Sequence, residues 1–168
     1  MSDLRDAAYA PMVELVESIG ESANLVVLTG IEVRFVATVE CDRVLRVGDR
    51  AGQRLPAHLT SGGKAILSRL ADTEVDRFTS LGPAEHGRLQ REVSLARRDG
   101  YATNHQETEH GLTAIGVALE PLPGPSFAAV CLAMPTVRFR RSSLDTYVAA
   151  LKHAASSIEA ATASVGTS

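Results

Sequence analysis

The stretch RLPAHLTSGGKAIL, Arg54 to Leu67, decides how this chain folds. Arg54 to Pro56 reads as an extended lead, and Thr60 or Ser61 is a natural N-cap for an amphipathic helix carrying Ala65 and Leu67. Gly62 and Gly63 predict a first helical turn whose backbone comes close to a neighbour or a ligand, with unpaired N–H groups pointing outward. A carboxylate or phosphate would be held there by amide hydrogen bonds and the positive end of the helix dipole. A well-capped core helix accounts for the same residues. A nucleotide-binding loop does not, because the glycine and the hydroxyl residue it requires are replaced by His58 and Ala65.

N-terminal to this stretch, Pro11 suits the first turn of a helix, Met12, Leu15, Val16 and Ile19 recur at helical spacing, and Gly20 ends it. β-rich runs follow at Leu25–Thr29 and, after a turn at Gly30, at Val33–Cys41, with Val33, Phe35, Ala37 and Val39 on one face. Val44–Val47 reads as a further strand and Gly48–Gly52 as a loop.

On the C-terminal side the pattern is helical through Leu89, Val93 and Ala96, with a short element near Val75 and Phe78 and a stop at Gly100. A hairpin follows, with arms Leu112–Leu119 and Ser126–Met134 joined by the turn Pro121–Pro125. One hairpin face carries Leu112, Ala114, Gly116, Ala118, Ala129, Cys131 and Ala133. These side chains are mostly small, so they leave room for a ligand or admit a close helix crossing. The other face, Ile115, Val117, Leu119, Val130, Leu132 and Met134, should pack on helices. A last helix bears Leu144, Val148, Leu151, Ala155, Ile158 and Val165, a stripe fit to cover the sheet or a partner subunit. Strands and helices in this non-alternating order indicate α+β, an antiparallel sheet with helices largely to one side.

The 168 residues suit one domain that buries about 70% of its unfolded surface. A formal net charge of -3 argues against nucleic-acid binding, which needs a basic surface to neutralise phosphates. Arg138, Arg140 and Arg141, alternating with Val137 and Phe139, read as a solvated edge or a subunit salt-bridge patch. With no secretory signal and no apolar run of membrane-spanning length, the expected location is the cytoplasm, and Cys41 and Cys131 read as small core residues.

Signals for chemistry are weak. The five histidines, His58, His86, His105, His110 and His153, lack the spacing of a metal site, and no catalytic residue, metal or cofactor is assigned. Glu107 and Glu109 lack a second acidic run and read as solvated. The enzymatic alternative is a small hydrolase or isomerase that pairs His58 or His105 with Cys131.

Four segments in order, RLPAHLTSGGKAIL, RRDGYATNHQETEHGL (Arg97–Leu112), TAIGVALEP and SFAAVCLAMP, resemble the C-terminal effector-binding domain of IclR-type bacterial transcriptional regulators. The resemblance runs from about Pro11 to the last helix. It implies a GAF/profilin-like sheet of about six strands and a homo-oligomer, dimer or tetramer. It also implies a small organic acid effector held by Ser61 and Gly62 at the helix entry. Apolar contacts come from Val44 and Val47, a polar one from Asn104, and the rest from Leu112, Ala114, Cys131 and Ala133. Asn104 stands where some members carry aspartate, and Cys131 and Ala133 offer little hydrogen bonding, so an aromatic or aliphatic acid is expected over a very small keto acid. Such regulators begin with a winged helix-turn-helix domain that has no room before Pro11. The expectation is therefore a connecting segment or helix tail at 1–10, an effector-binding domain at 11–168, and DNA contact only through an absent N-terminal domain.

Overall fold

The computed structural model describes residues 2–79, 82–122 and 126–165. Six strands form one antiparallel sheet. They are β1 (Ser22–Thr29), β2 (Glu32–Val39), β3 (Arg54–Pro56), β4 (Ala102–His105), β5 (Leu112–Ala118) and β6 (Ala128–Pro135), in the spatial order β3-β2-β1-β6-β5-β4. Each half is a three-stranded meander, and the β1–β6 pairing joins them, from Ser22 opposite Ala133 to Val27 opposite Ala128. The α+β class and the strand count are as expected.

The helices are not confined to one side. On one face lie α1 (Ser2–Ile19) and α5 (Leu144–Val165), packed on each other and on Ala23, Leu25, Val27, Ile115, Val117, Val130, Leu132 and Met134. On the other lie α2 (Ser61–Leu67) and α4 (Pro83–Asp99), with the short α3 (Asp72–Val75) between them. Both faces of the hairpin β5–β6 are apolar, so both must be covered to remove them from water. The stripe Val148, Leu151, Ala155 and Ile158 is thus spent inside the chain, against α1 and the sheet.

Pro11 is mid-helix rather than in a first turn: α1 runs unbroken from Ser2, and Leu4 and Ala8 are buried in the same core as Met12 and Leu15. The core contacts outweigh the one main-chain hydrogen bond a proline forfeits. The expected single face of β2 is also corrected. Between Leu25 and Val26 the β1–β2 register shifts, so that Leu25 faces Ala37 while Val26 faces Phe35, and Val36 is the extra residue. A bulge of this kind flips the alternation. Val33 and Phe35 therefore join the α2 face, whereas Val36, Ala37 and Val39 join the α1/α5 face.

Val44–Val47 forms no strand. Its backbone is tied to the start of β1 instead, through Ser22 Oγ donating to the Val47 carbonyl at 2.7 Å, and the side chain of the preceding Arg43 donates from Nε to the Gly20 carbonyl at 2.9 Å. Arg138 is no solvated edge. Its Nε and Nη2 both lie 2.8 Å from the buried Glu21 carboxylate, a bidentate clamp that holds the guanidinium pKa above its ordinary value. Of the β5–β6 turn, residues 123–125 lie outside the described residues, but the hairpin pairing is present from Leu112 opposite Pro135 to Ala118 opposite Ala129. Gly100 ends α4 at φ 80°, the left-handed conformation a C-terminal cap requires.

Candidate functional site

The entry to α2 is built by close packing. Thr60 is the N-cap: its Oγ1 accepts from the Gly63 N–H at 3.0 Å, and its carbonyl accepts from Lys64 N–H at 3.0 Å. A Cβ on Gly62 would stand 2.6 Å from Val26 Cγ2 and 2.8 Å from Cys131 Sγ, and one on Gly116 would stand 2.8 Å from the Gly62 nitrogen. The glycines therefore first let α2 sit directly on β1, β5 and β6, and Gly63 fits against its own capping turn. Most of the small-residue face of the hairpin is consumed by this crossing, including Gly116, Ala118 and Ala129.

What remains uncovered is one end of that face. A narrow cavity of about 30 Å³ lies there, lined by Ser61, Gly62, Asn104, Leu112, Ala114, Cys131 and Ala133 among others. At roughly 10–15 Å³ per water it has space for about two waters. Val47 packs behind it on Leu112, Ala114 and Ala133, completing the wall without lining the void. Val44 is 98% exposed and has no part in the wall, so the apolar contact that the resemblance implied for it is not formed here. With Thr60 satisfying Gly63, the Ser61 and Gly62 N–H groups are left without an oxygen acceptor among the described residues; that of Gly62 faces the Cys131 sulfur.

Several lining residues are not suggested by the local pattern: Asn24 on β1, Phe35 on β2, Leu55 on β3, Thr108, and Arg50 from the loop before β3. Leu55 belongs to the quoted stretch and could have been read with it. Asn24 and Arg50 carry no local signal, because only the bulged pairing of β1 with β2 and the fold-back of the loop bring them to α2. Thr38 Oγ1 links them, donating to Asn24 Oδ1 at 2.6 Å and accepting from the Arg50 main-chain N–H at 3.1 Å.

Glu107 is not solvated. It lies 2.6 Å from Lys64 Nζ, and Lys64, although charged, is only 2% exposed and also meets Glu92 at 3.3 Å. Arg88 closes the network onto both glutamates. Asn104, also buried, accepts from the Glu107 N–H and donates to Thr108 Oγ1, each at 2.8 Å, so its amide shapes the wall of the cavity. A wider hollow of about 490 Å³ opens outside β4; of its charged groups Lys64, Arg88, Glu92 and Glu107 neutralise one another, and Asp99 and Arg141 also line it.

Burial pushes the Cys131 thiol up to about 12, against the pull of Ser61 and Gly62, so it stays protonated at neutral pH and is a poor nucleophile. His105 stands opposite Thr113 in the register, on the α5 face of the sheet, where Nδ1 is 3.2 Å from Thr113 Oγ1. Cys131 is on the α2 face. The His105–Cys131 couple is therefore not assembled. Among the described residues, no group of three or more His, Cys, Asp or Glu side chains is placed to hold a metal ion, and no helix is long and apolar enough to cross a membrane.

Residues 1–160 match the family model described as the C-terminal domain of the bacterial transcriptional regulator IclR. The chain belongs to the IclR family. Among curated IclR-family relatives, it is 30% identical over 167 residues to the HTH-type transcriptional regulator KdgR of Dickeya chrysanthemi, a match covering 93% of this chain and 54% of that protein. The chain spans between 54% and 63% of the lengths of the first curated relatives it matches. Its fold is that of solved IclR domains. The Thermotoga maritima IclR structure superposes with a TM-score of 0.82 at 25% identity, covering 93% of this chain and 67% of that one. The C-terminal domain of Escherichia coli KdgR gives 0.79 at 26% identity, covering 95% and 98%.

Proposed function

We propose that this IclR-type domain is a cytoplasmic effector sensor that binds a small organic acid in the cavity beside the α2 entry. The observation that carries the reading is the meeting, in one cavity, of the Ser61 N–H, without an acceptor among the described residues, and the Gly62 N–H, held only by the weak Cys131 sulfur, with an apolar wall of Leu112, Ala114 and Ala133. The first suits a carboxylate and the second a hydrocarbon body. In its present form the cavity has room for little more than a carboxylate group, and the hydrocarbon body of an aliphatic or aromatic acid requires its mouth to open. No reaction is needed: the acid acts through its differential affinity for two subunit arrangements of a longer regulator, and so on DNA binding by another domain.

A thermal-shift screen with pyruvate, hexanoate and benzoate tests this. At about a hundred times its dissociation constant an effector adds roughly 2.7 kcal/mol, several degrees of melting temperature. Ala114→Leu should fill the cavity and abolish the shift, at an overpacking cost of about 1–3 kcal/mol. An unchanged shift in a folded Ala114→Leu protein would place the ligand elsewhere.

We also propose that the domain is a homo-oligomer. With the α5 stripe buried internally, the surface for it is the exposed Val44, Leu45 and Val137, carried by two segments tied to the Gly20–Glu21 turn through Arg43 and Arg138. Light scattering at high micromolar concentration should give at least a dimer, reduced by Val137→Lys; a monomer in the unmodified protein contradicts the proposal.

A further inference from the structure

Two arginines of this chain are largely buried beside a carboxylate, and they are used differently. Arg138 is spent, with two nitrogens on Glu21. The Arg50 side chain is only 11% exposed, yet among the described residues its guanidinium makes a single hydrogen bond, from Nη2 to Glu109 Oε1 at 2.7 Å. Its remaining N–H groups have no acceptor there. The partner is a poor one, since the Glu109 side chain is 56% exposed and its carboxylate is well hydrated.

The rest of Arg50 is fixed. Its main-chain N–H is held by Thr38, its carbonyl accepts from Gln53 N–H at 3.0 Å, and the guanidinium lies 6.0 Å from the centroid of the Phe35 ring. Arg50 and Phe35 both line the cavity. So does Asn24, which is only 2% exposed and whose Nδ2 has no partner among the described residues. A positioned cation with spare donors and the accessible Asn24 amide, both lining one cavity, are an arrangement that suits an anion.

We propose that Arg50 is the carboxylate-binding cation of this cavity and that Glu109 is a built-in competitor, so that an acid ligand binds by taking Arg50 from Glu109. The inference rests on the acid-sensing reading above and adds its selectivity: the site takes acids and refuses their neutral amides. Exchange at Glu109 is cheap because the carboxylate given up is itself more than half exposed and is taken over by water. The loop bearing Glu109 stays pinned at its base by Asn104 and by Lys64–Glu107.

The test is calorimetric titration of the whole chain, as wild type, Arg50→Gln and Glu109→Gln, with pyruvate, hexanoate and benzoate and with the amide of each. The acid that binds the wild type should bind Arg50→Gln at least about tenfold more weakly, the worth of a charge-assisted hydrogen bond. It should bind Glu109→Gln roughly two- to fivefold more tightly, the worth of a surface ion pair removed. Acid affinity within about twofold of wild type in Arg50→Gln, or no tightening in Glu109→Gln, overturns the Arg50 assignment and leaves the acid-sensing reading standing. No binding of any acid to any of the three proteins overturns both. Should Arg50→Gln fail to fold, tightening in Glu109→Gln decides alone.

Discussion

Alanine at position 63 is expected to destabilise this domain by about 3 kcal/mol or more, the upper end of overpacking, lowering its melting temperature by roughly 6–12 °C. The added Cβ would overlap the Ala57 carbonyl and lie 2.5 Å from Thr60 Oγ1. Neither can yield cheaply, because the Ala57 carbonyl accepts from Thr60 N–H and Thr60 Oγ1 is the cap itself. Gly116→Ala should cost less, since its Cβ meets the Ser61 backbone at 2.8 Å and α2 can lift slightly. Gly62→Ala should cost least, because Val26 Cγ2 and Cys131 Sγ are side-chain atoms. Urea unfolding of the three variants checks the order. If Gly62→Ala proves the most damaging, the account of how α2 sits on the sheet is wrong.

That ordering also marks where a sequence is legible. The cap falls at Thr60, one of the two residues the sequence offered, and the stop at Gly100 is read correctly, because capping is settled within a few residues. The two faces of β5 and β6 follow from strict alternation, and the expected residues Ala114, Cys131 and Ala133 do end on one face beside Ser61 and Gly62. β2 is misread because one extra residue, Val36, inverts the alternation, and its cause is the pairing with β1. Val44 is misread because an apolar pair in a loop looks like a short strand until the loop is seen tied to Gly20 and Ser22. Asn24 and Arg50 go unnoticed, and Glu107 is read as solvated, for another reason. Their surroundings are supplied by residues far away in the chain, so nothing beside them announces burial or partners.

Lys64 shows how such a distant partner supports the cavity, and Lys64→Met should cost about 3 kcal/mol. In the folded chain its ammonium is almost wholly withdrawn from water and is offset by Glu107 and Glu92. Removing it leaves Glu107, itself only 12% exposed, to Arg88 alone at 3.2 Å. A buried carboxylate robbed of its nearer cation is costly, whereas removing both charges is not, so Lys64→Met with Glu107→Gln should recover most of the loss. The consequence reaches the ligand. Glu107 N–H donates to Asn104 Oδ1, so the Lys64 pair anchors the turn that shapes one wall of the cavity. Effector affinity of Lys64→Met should therefore fall along with stability. The double variant should restore stability better than affinity, because the neutral amide introduced on that turn is no longer held against α2 by charge. Urea unfolding and titration of the two proteins measure this. If the double variant is no more stable than Lys64→Met, the lysine stabilises through packing of its chain and the ion-pair account fails.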